Sequence, residues 1–159
     1  MWVSAKGDYA LRAMSHLAVR YEQGYVQVGE IAKAQRIPTK FLEQILLRLK
    51  KGGYLTSKRG AQGGYMLTRS PAEITVGEVM RLMEGPLQPM DCVGHKTVGP
   101  CFLIPACGIK SMWEEVAEAT ARILERTTIA DLCQHARTRG ARLFSMTAES
   151  QTVGEKAYV

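Results

Sequence analysis

The chain has no run of about 18 apolar residues, the length a helix needs to cross a bilayer, so a membrane-spanning helix is not expected. Its first residues, MWVSAKGD, carry charge too early for the apolar centre of a secretory signal peptide. The expected location is therefore cytoplasmic. Cysteine is scarce, four in 159 residues, and in a reducing compartment these four are not expected to form structural disulfides. Histidine is scarcer still: His16, His95 and His135 are the only three, and none stands in a pattern that sets a base beside a nucleophile. An enzyme is not expected. No internal repeat is present either, and the length suits one ordinary domain or a small domain with an appendage.

Acidic residues are few in the first part of the chain. Residues 1–70 hold 12 Lys and Arg against 4 Asp and Glu, a net +8; residues 71–159 hold 9 against 11, a net −2, which together give the overall +6. A basic half joined to a slightly acidic half suggests that the first faces a polyanion and the second faces protein.

The basic half centres on residues 36–69, RIPTKFLEQILLRLKKGGYLTSKRGAQGGYMLTR. Phe41, Leu42, Ile45, Leu46 and Leu49 recur at helical spacing as a buried face, leaving Lys40, Glu43, Gln44, Arg48, Lys50 and Lys51 toward solvent. Pro38 suits a first turn, and Gly52-Gly53 supplies a stop. Alternation then makes Leu55 to Arg59 a strand and Tyr65 to Leu67 its return, around a thin glycine-rich tip, Gly60-Ala-Gln-Gly63-Gly64, narrow enough to enter a minor groove. Upstream, residues 8–22 form a first core helix ended by Glu22-Gln-Gly24. Val28 to Gln35 forms a short second helix, linked by Arg36-Ile-Pro to the one above, and two helices so joined are a helix-turn-helix. Downstream, Thr75-Val-Gly-Glu78 is a capping box opening a helix over Val76 to Glu84.

From Pro86 to Gly108 periodicity is lost, and Cys92, Cys101 and Cys107 fall in this loop, with eight and five residues between them. These gaps are wider than the two to four of zinc knuckles. Thiolates so spread fit an iron–sulfur cluster, but spacing alone leaves cluster, zinc, redox thiols and unremarkable cysteines open. Lys110 to Arg126 is strongly amphipathic, with Met112, Trp113, Val116, Ala117, Thr120, Ile123 and Leu124 on one side, and a helix this long beyond a completed core either calls for a partner or folds back on its own domain. Thr128 and Asp131 cap a last helix ending near Ala136. Cys133 shares a face with Ile129 and Leu132 and has the pattern of a small buried hydrophobe. Residues 138–159 show no period and suit a flexible tail.

SAKGDYALRAM, TKFLEQIL, KRGAQGGYMLTR, ITVGEVMRLMEGPL, three cysteines and a helix ending in ERTTIADL together resemble the bacterial Rrf-two family of winged-helix regulators, in order over residues 1 to about 137. The resemblance implies a mainly α fold with a small β-hairpin wing. Residues 1–85 would be a winged helix-turn-helix, 86–109 a cluster-binding loop, 110–137 a dimerisation helix with the final helix, and 138–159 the tail. It further implies a homodimer on a double-stranded DNA operator, acting as a repressor. Thr39, Lys40, Glu43 and Gln44 would face the major groove and Arg59 the minor groove, with Arg48, Lys50, Lys51 and Lys58 beside the phosphates. Gln suits adenine, Glu suits cytosine N4, and Arg suits a narrow minor groove.

Cys92, Cys101 and Cys107 would hold a 2Fe-2S or 4Fe-4S cluster that senses iron, cluster supply, redox state or nitric oxide. The gap from Cys92 to Cys101 is longer than usual for the family, and Lys110 stands where cluster-sensing members carry a histidine ligand. A fourth ligand must come from elsewhere: Asp8 of the partner subunit, by resemblance to the nitric-oxide-sensing branch, or the loop residue His95. The alternative is a clusterless regulator of the same family, controlled by a protein partner or small ligand.

Overall fold

The computed structural model describes residues 3–90, 92–93 and 107–140. The helix α1 (Ala5–Val19) starts three residues earlier than periodicity suggests, because the Ser4 hydroxyl accepts the Gly7 N–H and caps it. It also ends earlier, since Glu22 and Gly24 take positive φ in the turn that follows. The next two helices have the expected extents, α2 (Val28–Gln35) and α3 (Thr39–Lys51), with Arg36 in the left-handed region at the tight link between them. Leu42, Ile45, Leu46 and Leu49 of α3 are buried, but Phe41 is not: 36% exposed, it packs edge-on against Tyr9 with ring centroids 5.8 Å apart.

The hairpin pairs β1 (Leu55–Lys58) with β2 (Gly64–Leu67) antiparallel, Leu55 opposite Leu67 and Lys58 opposite Gly64. A third segment joins it, for Val26 and Tyr65 exchange both backbone hydrogen bonds at 2.9 Å. The wing is thereby stitched to the link between α1 and α2. Pro71–Glu73 forms a 3₁₀ turn under a Ser70/Glu73 capping box that the sequence reading missed, and α4 (Val76–Glu84) opens on the expected Thr75/Glu78 box. The long helix α5 (Gly108–Arg126) has Cys107 at its N-cap. A last helix, α6, covers residues 129–140 and opens on reciprocal bonds between Thr128 and Asp131. It passes the expected end at Ala136. Residues 134–139 are all exposed, so this extension carries no apolar period that could have announced it.

One core gathers Met14 and Leu17 of α1, Ile31 of α2, Leu46 and Leu49 of α3, Leu55 and Leu67 of the hairpin, Val79 and Met83 of α4, and Ile129 of α6. Helix α5 contributes no buried residue, and Ile109, Met112, Val116 and Ile123 stand 42–61% exposed along it.

Candidate nucleic-acid interface and cysteine loop

The outer face of α3 is a stripe at three- and four-residue spacing: Lys40, Glu43, Gln44, Leu47, Arg48 and Lys51, all exposed. Thr39 is exposed at its start. Leu47, 48% exposed, carries no mark in the sequence that separates it from its apolar neighbours; its place between Gln44 and Arg48 puts an apolar group on this otherwise polar face. Lys50 lies off this stripe. Its ammonium donates to the Ser57 hydroxyl at 2.6 Å, bracing the end of α3 against β1.

At the wing, Lys58 and Arg59 are exposed beside the tip. Gln27 Nε2 donates to the Ala61 carbonyl at 2.6 Å, so the tip is held from the start of α2. Gly64 has φ +145°, and a Cβ there would run into the Val26 carbonyl. The helix α3 and the hairpin are thus one braced unit, with Lys40, Arg48, Lys51, Lys58 and Arg59 offering cations on the surface.

Of the loop cysteines, Cys92 and Cys107 are described; both are half-buried free thiols, the second at the foot of α5. Cys101 and His95 lie outside the described residues, and among the described residues no three of His, Cys, Asp and Glu converge. Lys110 is paired with Glu114 at 3.4 Å. Asp8 sits exposed in the first turn of α1 and pairs with Arg12, also at 3.4 Å, as an ordinary first-turn carboxylate does. Cys133 on α6 is partly buried, its thiol donating to the Ser15 carbonyl at 3.5 Å, and burial pushes its pKa up.

A family model described as "Rrf2: Iron-dependent Transcriptional regulator" matches residues 3–135. The chain belongs to the Rrf2 family. The transcriptional regulator CymR of Bacillus subtilis is 32% identical over 135 residues, covering 85% of this chain and 91% of that protein. Its solved structure, described as that of a global cysteine regulator, aligns with a TM-score of 0.71 at 30% identity, covering 85% of this chain and 98% of that one. The structure of T. potens IscR aligns at 0.67 and 34% identity, covering 86% of this chain and 88% of that one. The mostly helical fold with a two-stranded hairpin is accordingly a winged helix, and the chain is a transcriptional regulator of a DNA-binding family. These relatives are regulators, and nothing in the described residues points to catalysis. None of the described helices is long and apolar enough to cross a membrane.

Proposed function

We propose that the chain is a homodimeric repressor whose operator affinity is set by an iron–sulfur cluster. The observation that carries this reading is the placement of Cys107: a half-buried free thiol at the N-cap of α5, with no side-chain cap bond. Cys92 is a second such thiol and lies next to the fully buried Val93, which fixes the near end of the loop. The donors present suit a cluster, being soft and uncommitted among the described residues. Cys92, Cys101 and Cys107 would hold it. Bound there, a cluster supplies a group that oxidants, nitric oxide or iron shortage can alter or remove.

The chain's own residues supply the coupling. The foot of α5 would be ordered by ligation at Cys107, and its far end is tied to α4 by the ion pair of Arg81 with Glu125. The exposed stripe Ile109, Met112, Val116 and Ile123 would pack on a second copy, setting the spacing of two recognition helices for a two-fold operator. Within each head, Thr39, Lys40, Glu43 and Gln44 would face the major groove, with Gln44 and Glu43 reading base edges; Leu47 would meet a thymine methyl, Arg59 would enter the minor groove, and Arg48, Lys51 and Lys58 would anchor the phosphates, with Lys50 joining them only by giving up its bond to Ser57.

Asp8 of the partner subunit is the proposed fourth ligand, and taking that role would cost its pairing with Arg12. The test is the visible spectrum with iron and sulfide content of protein isolated without oxygen. Absorption lost in Cys92→Ala, Cys101→Ala and Cys107→Ala and kept in Cys133→Ala is expected; colourless protein without iron and sulfide refutes the reading. The likeness to CymR favours one second reading, a clusterless regulator, and that same colourless result would support it.

A further inference from the structure

A cavity of about 410 Å³ opens between α1, the end of α2 and α6, and neither the exposed stripe of α3 nor a loop cysteine lines it. Its size lies in the range of about 300–1,000 Å³ found for small-molecule sites. Leu11, Val19, Leu132 and Ala136 give it an apolar lining, and Arg12, Arg20 and Arg137 line it as well. No Asp or Glu lines it among the described residues.

The three arginines are not equivalent. Arg12 is held by Asp8 and donates to the Gln35 carbonyl, and Arg20 is held by Glu30 at 3.0 Å. Arg137 has no ion-pair partner among the described residues. The thiol of Cys133, also in the wall, has its pKa raised by burial and so adds no negative charge near neutral pH. The wall therefore offers an apolar bed and one uncompensated guanidinium, a combination complementary to an amphipathic organic anion.

We propose that this cavity binds a small organic acid in its ionised form, the carboxylate on Arg137 and the hydrocarbon body over Leu11, Val19 and Leu132. The bound acid would also touch the helix-turn-helix. Gln35, the last residue of α2, lines the cavity, and its amide lies 3.4 Å from His16 Nδ1 while its carbonyl takes the Arg12 guanidinium. Only Arg36, Ile37 and Pro38 separate Gln35 from the start of α3. Occupancy thus bears on the last residue of α2, at the turn before α3.

Octanoate is a suitable probe, with octanol as the same body without charge and acetate as the charge without the body. Calorimetric titration of the full-length protein should show octanoate saturating at one per chain, with octanol and acetate each at least tenfold weaker. Arg137→Gln should weaken octanoate at least tenfold and leave octanol unchanged. Ala136→Trp should fill the cavity and abolish binding, and its unchanged circular dichroism would show that the fold survives. In wild-type protein, amide shifts should concentrate at Gln35, Arg36, Leu132 and Cys133. Absence of saturable octanoate binding overturns the proposal, as does octanol binding equally well or octanoate binding either variant as tightly as the wild type.

Discussion

Val76, the first residue of α4, donates its backbone N–H to the carbonyl of Thr127, the C-cap of α5, over 2.8 Å. Two residues on, Ile129 donates to Ile74 over 2.9 Å, so the end of α5 and the start of α6 are sewn to the strand-like approach to α4. Any displacement of α5 is therefore delivered to the winged-helix core at a backbone junction rather than through a flexible linker.

That junction is capped by two carboxylates, Glu78 under Thr75 and Asp131 under Thr128. Burial raises the pKa of Glu78, but the bonds from Thr75 and Arg69 outweigh it and leave the pKa below 4.5; the bonds from Thr128 lower that of Asp131 below 3.8. A carboxylate depressed in the folded state stabilises fully above its unfolded pKa, and the contribution is lost as pH falls through the folded one. Stability should thus fall on acidification below pH 4.5, and less steeply in Glu78→Gln. At neutral pH, Thr75→Ala should cost about 1 kcal/mol, measured by urea denaturation.

On the proposed reading, the stripe on α3 and the wing should make two kinds of DNA contact. Arg48→Ala and Lys51→Ala should weaken binding to all DNA sequences alike and reduce the salt dependence by about one phosphate each. Gln44→Ala and Arg59→Ala should instead change sequence preference, at about 1–3 kcal/mol each. Fluorescence anisotropy on cognate and mismatched duplexes at several salt concentrations distinguishes the two patterns.

Gly64→Ala should destabilise the protein by more than Gly53→Ala does, because the added Cβ meets the Val26 carbonyl and φ is +145°. Gly53→Ala, at φ +82° with nothing within 4 Å of its Cβ, should cost only the left-handed penalty of about 1–2 kcal/mol. The wing of the Gly64 variant should also lose hydrogen-exchange protection at Tyr65, whose N–H bonds Val26.

On α5, Val116→Glu and Ile123→Glu place charge where a single chain leaves 42% and 52% of the residue exposed. The monomer should therefore stay folded while the dimer fails. Sedimentation equilibrium should find a folded monomer; a stable dimer would move the interface elsewhere.

The helix-turn-helix was legible because its signals are local: the apolar period of Leu42, Ile45, Leu46 and Leu49, the glycine stop, and the Thr75 and Glu78 box all act within a few residues. What stayed hidden depends on distant partners. In the sequence Gly64 looks like turn chemistry alone, whereas its demand comes from Val26, far back in the chain. Leu47 falls on neither face by pattern alone, since Ile45, Leu46 and Leu47 are adjacent apolar residues and blur the helical period until the packing is seen. The Ser70 box went unnoticed because no apolar run follows its single 3₁₀ turn. The exposed end of α6 had no period to show. The cysteine pattern suggested donors but not their arrangement, and Cys101 lies outside the described residues.

The central claim is that ligation at Cys92, Cys101 and Cys107 sets DNA affinity, and an effector that bound both states equally would shift nothing. The most direct measurement selects a genomic fragment with protein isolated without oxygen, then compares the affinity of that protein for the fragment with that of its chelator-stripped form at one salt concentration. The account predicts at least a fivefold difference, absent in Cys107→Ala, consistent with a coupling of about 1–3 kcal/mol. Equal affinity of the two forms would contradict it.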